Sequence, residues 1–433
     1  MNKKKENFAF ERWTKALMAF IEESPTVYHA VAALSRRLEE ADFTALPEGE
    51  HWSLSRGGSY YVKRNDSAII AFSIPKKAAL SDGVHIIASH GDSPSFKIKE
   101  NPEMEVEGHY IKLNVEKYGG MLMAPWFDRP LSVAGRILCK GTDEEIHTKL
   151  VKVDRDLLLI PNLAIHMNRQ VNDGYAYNAQ KDMLPLYGLS SAKGSFLKTV
   201  AEAAGVQPEE ILGHDLFLYN RTAPSVWGAE HAFLSAPRLD DLQCAFTSME
   251  AFLSAKRKTC LSLCCVFDNE EVGSATNQGA DGTFLSDVLQ RIREALSEDF
   301  EAYQRMLANG FMISADNAHA IHPNHTDMAD PVNRPYLNEG IVIKYNAAQK
   351  YCTDGVSAAR FKLLCEKAGV PYQTFTNRSD MPGGSTLGNL SNTHVPLSTV
   401  DVGLPQLAMH SPYETAGVKD TAYFAAVAEQ FFA

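Results

Sequence analysis

The chain has 433 residues, with 42 Lys+Arg against 53 Asp+Glu, a formal net charge of −11 with histidines neutral. An apolar fraction of 45% and a charged fraction of 22% match globular proteins and exclude disordered, collagen-like and low-complexity classes. The acidic balance lacks the basic stripe that phosphate backbones require, so no nucleic-acid partner is expected. At roughly 150 residues per domain the length predicts about two or three domains.

The start Met1-Asn2-Lys3-Lys4-Lys5 is followed by Glu6, Glu11, Arg12 and Lys15 without a small-residue cleavage site, so it reads as a polar lead into a helix rather than a secretory signal. Helical spacing follows over 13–21 and 28–38, parted by the stop and restart Ser24-Pro25-Thr26. Strand-like runs at 59–63 and 68–74 flank Asn65-Asp66 and predict a hairpin. The apolar run 84–88, between Asp82-Gly83 and Gly91, predicts a strand buried on both faces and ends in His90-Gly91-Asp92. From Ser95 the texture changes to short strands at 96–99, 109–115, 131–138 and 157–159, with few long helices before Lys193.

From Leu239 helices and strands alternate again. A helix carries Leu242, Ala245, Phe246, Met249, Phe252 and Leu253 on one face; a strand at 261–267, a helix at 284–296, strands at 311–314 and 341–345, a helix at 356–368 and a strand at 400–402 follow. The expected fold class is α/β: a mixed, largely parallel sheet flanked by helices, made of 1–94 and 236–433, interrupted by a β-rich insertion at 95–235. The longest strongly apolar run, 260–267, is far too short to span a bilayer, so no membrane partner is expected. Cys139, Cys244, Cys260, Cys264, Cys265, Cys352 and Cys365 include no CxxC pair, which predicts neither a disulfide framework nor a thiolate zinc site and fits the cytoplasm.

Four polar clusters follow predicted strands: His90-Gly91-Asp92, Asn269-Glu270-Glu271, Asp316-Asn317-Ala318-His319, and His410. Ligands of open α/β sheets bind outside the carboxyl ends of the strands, so carboxylates and imidazoles gathered there point to a metal site. Each residue alone has an ordinary reading. Asp240, ahead of the helix from Leu242, is an N-cap; His90 is a hydrogen-bonded core histidine; Glu270-Glu271 are solvated carboxylates, unless a cation separates them. His319, His322 and His325 read as loop polarity or as ligands. Gly383-Gly384-Ser385-Thr386 lacks the ending of a P-loop and reads as a tight backbone approach, while GxSxG, HExxH, GxGxxG and Walker A sequences are absent.

The segments Ala88 to Pro94, Trp126-Phe127-Asp128-Arg129, Pro237 to Leu242, Asp268 to Ser274, Ser314-Ala315-Asp316 and Gln406 to Ser411, in this order, resemble the aspartyl aminopeptidase and vacuolar aminopeptidase I family of dinuclear zinc peptidases. The resemblance runs nearly end to end. It implies that Asp240 bridges two metals, with His90 and Asp316 completing one site and Glu271 and His410 the other. Asp92 would orient the His90 imidazole and Glu270 would be the general base. The ions would be two Zn²⁺ per subunit, although Mn²⁺ or Co²⁺ suits the same donors.

By the same resemblance the insertion is a dimerisation domain, and His166 in Leu163-Ala164-Ile165-His166 reaches a neighbouring subunit's active site within a dodecamer built from dimers. Lys344, in Ile343-Lys344-Tyr345-Asn346, and His319 would face the substrate, with Lys344 selecting Asp or Glu. A solvated strand-end lysine is the other reading of Lys344. The implied activity is hydrolysis of the N-terminal residue from peptides with a free, preferably acidic, N-terminus, through a bridging water. Three departures stand out: Asp241 where Asn is common, Gly91 where Thr is common, and Pro130 after Arg129. The competing readings are an aminopeptidase of neutral N-termini, a metal-dependent deacylase or carboxypeptidase using Lys344 or Arg238 as a carboxylate clamp, and a non-catalytic assembly or cargo protein.

Overall fold

Successive side chains of a strand point to opposite faces, and along the strand Val84–His90 both faces are dry. Ile87 packs with Leu34, Phe246, Val266 and Phe424 in one core, whereas Ile86 and Ala88 pack with Phe72, Phe284, Val288 and Met306 in another. A sheet covered on both sides needs no polar alternation, which is why only His85 and Ser89 interrupt the apolar residues ahead of His90. The same division holds in Leu261–Phe267, where Cys264 and Val266 face the first core and Leu263 and Cys265 the second.

The computed structural model describes residues 3–141, 145–256 and 260–433; Met1 and Asn2 of the expected polar lead lie outside the described residues. Helices Lys3–Glu23, Val27–Glu40, Leu239–Ser254, Gly355–Ala368 and Asp420–Phe432 contribute to the first core, and helices Phe284–Ala295, Phe300–Asn309 and Leu387–Ser391 to the second. Local signals set their ends. Asp354 accepts hydrogen bonds from the N–H groups of Val356 and Ser357, and Gly369 closes the same helix in a left-handed conformation, φ 68°.

Between these layers runs a nine-stranded sheet in the order Thr44–Ala45, Ser59–Arg64, Ala68–Ser73, Leu261–Phe267, Val84–His90, Phe311–Ala315, Ser398–Gly403, Ile341–Lys344, Tyr372–Phe375. Its four central strands, from Leu261–Phe267 to Ser398–Gly403, are mutually parallel. His90 pairs in register with Phe267, so the ends of those two strands are level. The expected α/β class, with a mixed, largely parallel sheet flanked by helices, is the fold observed.

A six-stranded antiparallel sheet is formed entirely by residues between Ser95 and Asn220, in the order Ile146–Lys152, Leu131–Lys140, Ile211–Asn220, Ser95–Val106, Tyr110–Tyr118, Leu186–Leu189. Phe96, Leu113, Val133 and Leu216 pack there with Phe196 and Val200 of the helix Phe196–Ala204. Its first strand in the chain and its last long one are neighbours, Lys97 pairing with Phe217, and Ser95 Oγ donates to the Leu218 carbonyl at 2.6 Å.

A third, five-stranded sheet joins Ser225–Trp227, Phe233–Ala236, Glu414–Gly417, Pro405–Leu407 and Ala318–His319. Residues 225–235, inside the span expected for the insertion, thus pair with strands near His410. The run 157–159 is no regular strand: Leu158 and Leu159 make isolated bridges to Leu131 and Leu186 at the sheet's margin. No helix among the described residues is long and apolar enough to cross a membrane.

Candidate metal centre

The parallel strands deliver their polar residues to one edge. His90 is the last residue of its strand, Asp316 follows Phe311–Ala315, and Glu270 and Glu271 lie in the short turn Glu270–Val272 beyond Leu261–Phe267. Asp240 enters from the start of the helix Leu239–Ser254, joined to Asp241 by a cis peptide bond. It does not serve as a helix cap: its Oδ1 finds no hydrogen-bond donor among the described residues, and it is buried among the other four. Arg238, Asn269 and His410 all take left-handed backbone conformations, φ 58°, 61° and 65°, a concentration of strain common at functional sites.

Two groups of ligand-type atoms share one residue: His90, Asp240 and Asp316 form one, and Asp240, Glu271 and His410 the other. Asp240 divides its oxygens between them, Oδ1 lying 3.4 Å from His90 Nε2 and Oδ2 3.6 Å from His410 Nε2. His90 Nε2 is 3.9 Å from Asp316 Oδ1, and His410 Nε2 is 3.3 Å from Glu271 Oε2. Most of these gaps are too long for good hydrogen bonds. They are near the separation of about 3.3–3.6 Å between two donors of one tetrahedral zinc, each about 2.0–2.2 Å from it. Asp240 Oδ1 and Glu271 Oε1 are buried and find no hydrogen-bond donor among the described residues, a costly state that a cation relieves. The donor set therefore fits zinc. Glu270 also comes within reach of His90 and Glu271.

Electrostatics give the same answer. Burial, then the charge of Asp240, pushes Glu271 well above the carboxylate range, and burial raises Asp316. Asp240 is held low against burial by His90, His410 and Lys344. Burial pushes Glu270 up to about 8, with Asp316, Asp92 and Asp240 adding to the shift against His90. Carboxylates crowded this closely repel one another unless positive charge lies among them.

Behind the ligand atoms lies a tight supporting layer. His90 Nδ1 faces Asp92, 3.1 Å from its carbonyl and 3.4 Å from Oδ1. The Asp92 carboxylate accepts from the N–H groups of Glu270 at 3.1 Å and Glu271 at 3.2 Å and from the Tyr118 hydroxyl at 2.7 Å. Glu414, fully buried, accepts from the N–H of His410 at 2.7 Å and of Asp240 at 3.0 Å, tying the shared residue to one histidine. Asp241 Oδ2 accepts from the N–H of His90 at 3.2 Å and is not among the metal-ligating groups. Sequence reading misses Tyr118 and Glu414. Glu414 carries a weak signal as a carboxylate only four residues beyond His410, and Tyr118 carries none.

Lys344 is buried, 3% exposed, so the solvated reading fails. Its Nζ lies 3.4 Å from Asp316 Oδ2 and over the Tyr351 ring; burial opposes its charge, but Asp316, Tyr351, Asp401 and Asp240 together outweigh that and hold the ammonium up. The His319 ring meets Phe375 at 6.0 Å, and desolvation with the Lys344 charge lowers its pKa. Arg238 donates to the carbonyls of Ser24 and Ile21, both at 3.0 Å, at the end of the first helix. Gly383 lies where a Cβ would meet the side-chain amides of Asn377 and Asn346, at 2.8 and 2.9 Å. His166 is exposed on the six-stranded sheet's long loop and is not among the metal-ligating groups of its own chain.

A family model described as aminopeptidase I zinc metalloprotease (M18) matches residues 20–432. A probable M18 family aminopeptidase 2 of Clostridium acetobutylicum is 46% identical over 425 residues, 97% of this chain and 98% of the relative. Its counterpart in Pseudomonas syringae is 41% identical over 425 residues, 97% of each. Among solved structures, the chain is similar to one from the Ape4 and Nbr1 complex, with a TM-score of 0.96 and 35% identity over 100% of this chain and 87% of that one. It is also similar to the S. cerevisiae mApe1 dodecamer subunit, with a TM-score of 0.85 and 29% identity over 99% of this chain and 97% of that one. A match over almost the whole length, laid on a histidine and carboxylate centre suited to zinc, makes the chain a member of the M18 family of zinc aminopeptidases.

Proposed function

We propose that this M18 aminopeptidase binds two zinc ions per subunit and removes acidic residues from the N-termini of peptides. The observation that carries the reading is the division of Asp240, one oxygen toward His90 and Asp316, the other toward His410 and Glu271. His90, Asp240 and Asp316 would hold one ion, and Asp240, Glu271 and His410 the other. Bound there, zinc supplies Lewis-acid polarisation of the scissile carbonyl and lowers the pKa of water.

The chain's own residues supply the rest. Glu270 takes a proton from the attacking water and passes it to the leaving amine. Asp92 holds the His90 imidazole through Nδ1. The free amino terminus is met by the carboxylates around the centre, which favours exopeptidase action. Lys344 and His319 form the pocket of the first residue, where the ammonium is a buried positive charge suited to an Asp or Glu side chain. Arg238, engaged with the carbonyls of Ser24 and Ile21, is a poor clamp for a substrate carboxylate, which weighs against a carboxypeptidase.

In this reading residues 1–94 and 236–433 form the catalytic unit and 95–235 a dimerisation unit that carries His166 into a neighbouring subunit's site, where it donates to the developing oxyanion. The assembly is a homododecamer in the cytoplasm; the similar mApe1 structure is described as a dodecamer. Metal analysis of the purified protein should give two zinc ions per chain. A panel of aminoacyl substrates should show Asp and Glu preferred, with N-acetylation abolishing turnover. One ion per chain, or a preference for neutral residues, would overturn the corresponding part.

A further inference from the structure

Tyr118 ends the strand Tyr110–Tyr118 of the six-stranded sheet, yet its hydroxyl is bonded wholly outside that sheet. The ring packs edge-on against Phe217, with centroids 5.6 Å apart. The hydroxyl donates to Asp92 Oδ2 at 2.7 Å and accepts from Asn269 Nδ2 at 2.9 Å. Asn269 has no freedom to turn its amide: Oδ1 accepts from Thr276 Oγ1 at 2.9 Å and from Gln278 Nε2 at 2.8 Å, which leaves the nitrogen toward Tyr118. With its oxygen already accepting from that amide, the phenol directs its one proton at Asp92.

Asp92 is consequently held from two units at once. The N–H groups of Glu270 and Glu271 belong to the turn beyond Leu261–Phe267, whereas the third donor comes from the six-stranded sheet. An acceptor fixed by three donors holds Asp92 against His90, whose Nδ1 lies 3.1 Å from the Asp92 carbonyl and 3.4 Å from Oδ1, and both oxygens favour the tautomer whose Nε2 lone pair faces Asp240 and Asp316. Packing alone does not account for this arrangement, because phenylalanine would fill the same space against Phe217.

We propose that Tyr118 is a positioning residue through which the six-stranded unit orients Asp92 and thereby sets the zinc affinity of the His90 site. The inference rests on the proposed function, in which His90 is a ligand and Asp92 its orienting carboxylate. Partners behind a metal-ligating imidazole typically change affinity about 10- to 100-fold, and Tyr118 stands one bond further out, so the lower end of about tenfold is expected.

The test uses the assembled enzyme, with zinc affinity measured by competition against a chelator and the visible spectrum of the cobalt-substituted protein recorded beside it. Tyr118→Phe should weaken zinc binding about tenfold and shift the cobalt bands, with kcat largely restored at saturating zinc. Phe217→Leu, which disturbs the packing and keeps the hydroxyl, should bind zinc as wild type does; an equal loss there would show that packing is responsible and overturn the proposal. Asp92→Asn separates the two levels. If it weakens zinc binding while Tyr118→Phe does not, Tyr118 has no such role; if neither does, the Asp92–His90 reading itself fails. Should Tyr118→Phe not assemble, Tyr118→Met, which also lacks the hydroxyl that reaches Asp92, takes its place. Wild-type zinc affinity in that variant would also overturn the proposal.

Discussion

Asp240 shows how much one side chain's surroundings decide. Alone it is an acid ahead of a helix; in the fold it stands between two histidines with an oxygen for each. Glu270 is the other decisive residue, because it is the carboxylate of the cluster that the two ligand groups sharing Asp240 leave free, as a general base must be. Glu270→Gln should keep the zinc content and lower turnover about 10²- to 10⁴-fold, the contribution usual for a general base. Metal analysis and steady-state kinetics on one preparation check both halves, and wild-type turnover would sink the role. Lys344→Met should lower kcat/KM for Asp and Glu substrates by roughly 10- to 100-fold relative to neutral ones, the worth of a charge-assisted hydrogen bond of about 1.5–3 kcal/mol. An equal loss on every substrate would instead make Lys344 a support for Asp316, 3.4 Å away.

At the scale of elements, the C-terminal helix Asp420–Phe432 offers a pH test away from the metal ligands. Asp420 is buried and accepts from the N–H groups of Asn338 at 2.8 Å and Gly340 at 3.3 Å, and burial raises its pKa from 3.8 to about 8. Between those values the folded chain keeps a proton that the unfolded chain has released. Its contribution to stability is therefore complete at low pH and is lost as pH rises toward about 8. Asp420→Asn should flatten that decline in urea midpoints measured across the window, while costing about 1 kcal/mol at low pH for the lost acceptor. An unchanged slope would refute the assignment. Strands buried on both faces, such as Val84–His90 and Leu261–Phe267, are legible because a mostly apolar run without polar alternation, set between turn residues, suits a strand that is dry on both sides. The edge strand Tyr372–Phe375, short and half-exposed, carries no such run. The helix Phe300–Asn309 goes unanticipated although its Asp299 cap and following Gly310 are visible signals. Of the centre, the ligand types and their places after strands can be read, but the supporting hydrogen bonds cannot. Tyr118 meets Asp92, and Glu414 meets Asp240, only because tertiary structure joins segments 26 and 174 residues apart.

For the molecule as a whole, the charge of −11 disfavours long-range attraction of acidic peptides, so the proposed preference for them would have to be made locally, at Lys344 and the proposed metals. The exposed His166 calls for a test that spans two subunits. His166→Ala should lose most activity with its zinc retained, and so should Glu270→Gln. Coexpressing the two variants should restore part of the activity, because some His166→Ala sites would then receive the histidine of a Glu270→Gln neighbour. No restoration in mixed assemblies would place His166 outside the reaction. The side-by-side strands Ser95–Val106 and Ile211–Asn220 have a consequence for the order of folding. Closing an unstructured loop on the order of 100 residues costs about 4 kcal/mol of chain entropy, which Val84–His90 and Leu261–Phe267 would otherwise have to overcome in order to meet. Once the six-stranded sheet has formed, its own pairing has already brought the two ends together. During synthesis from the N-terminus that sheet would therefore act as the closure device, and the residues proposed to hold zinc, spread from His90 to His410, would come together only after it had formed.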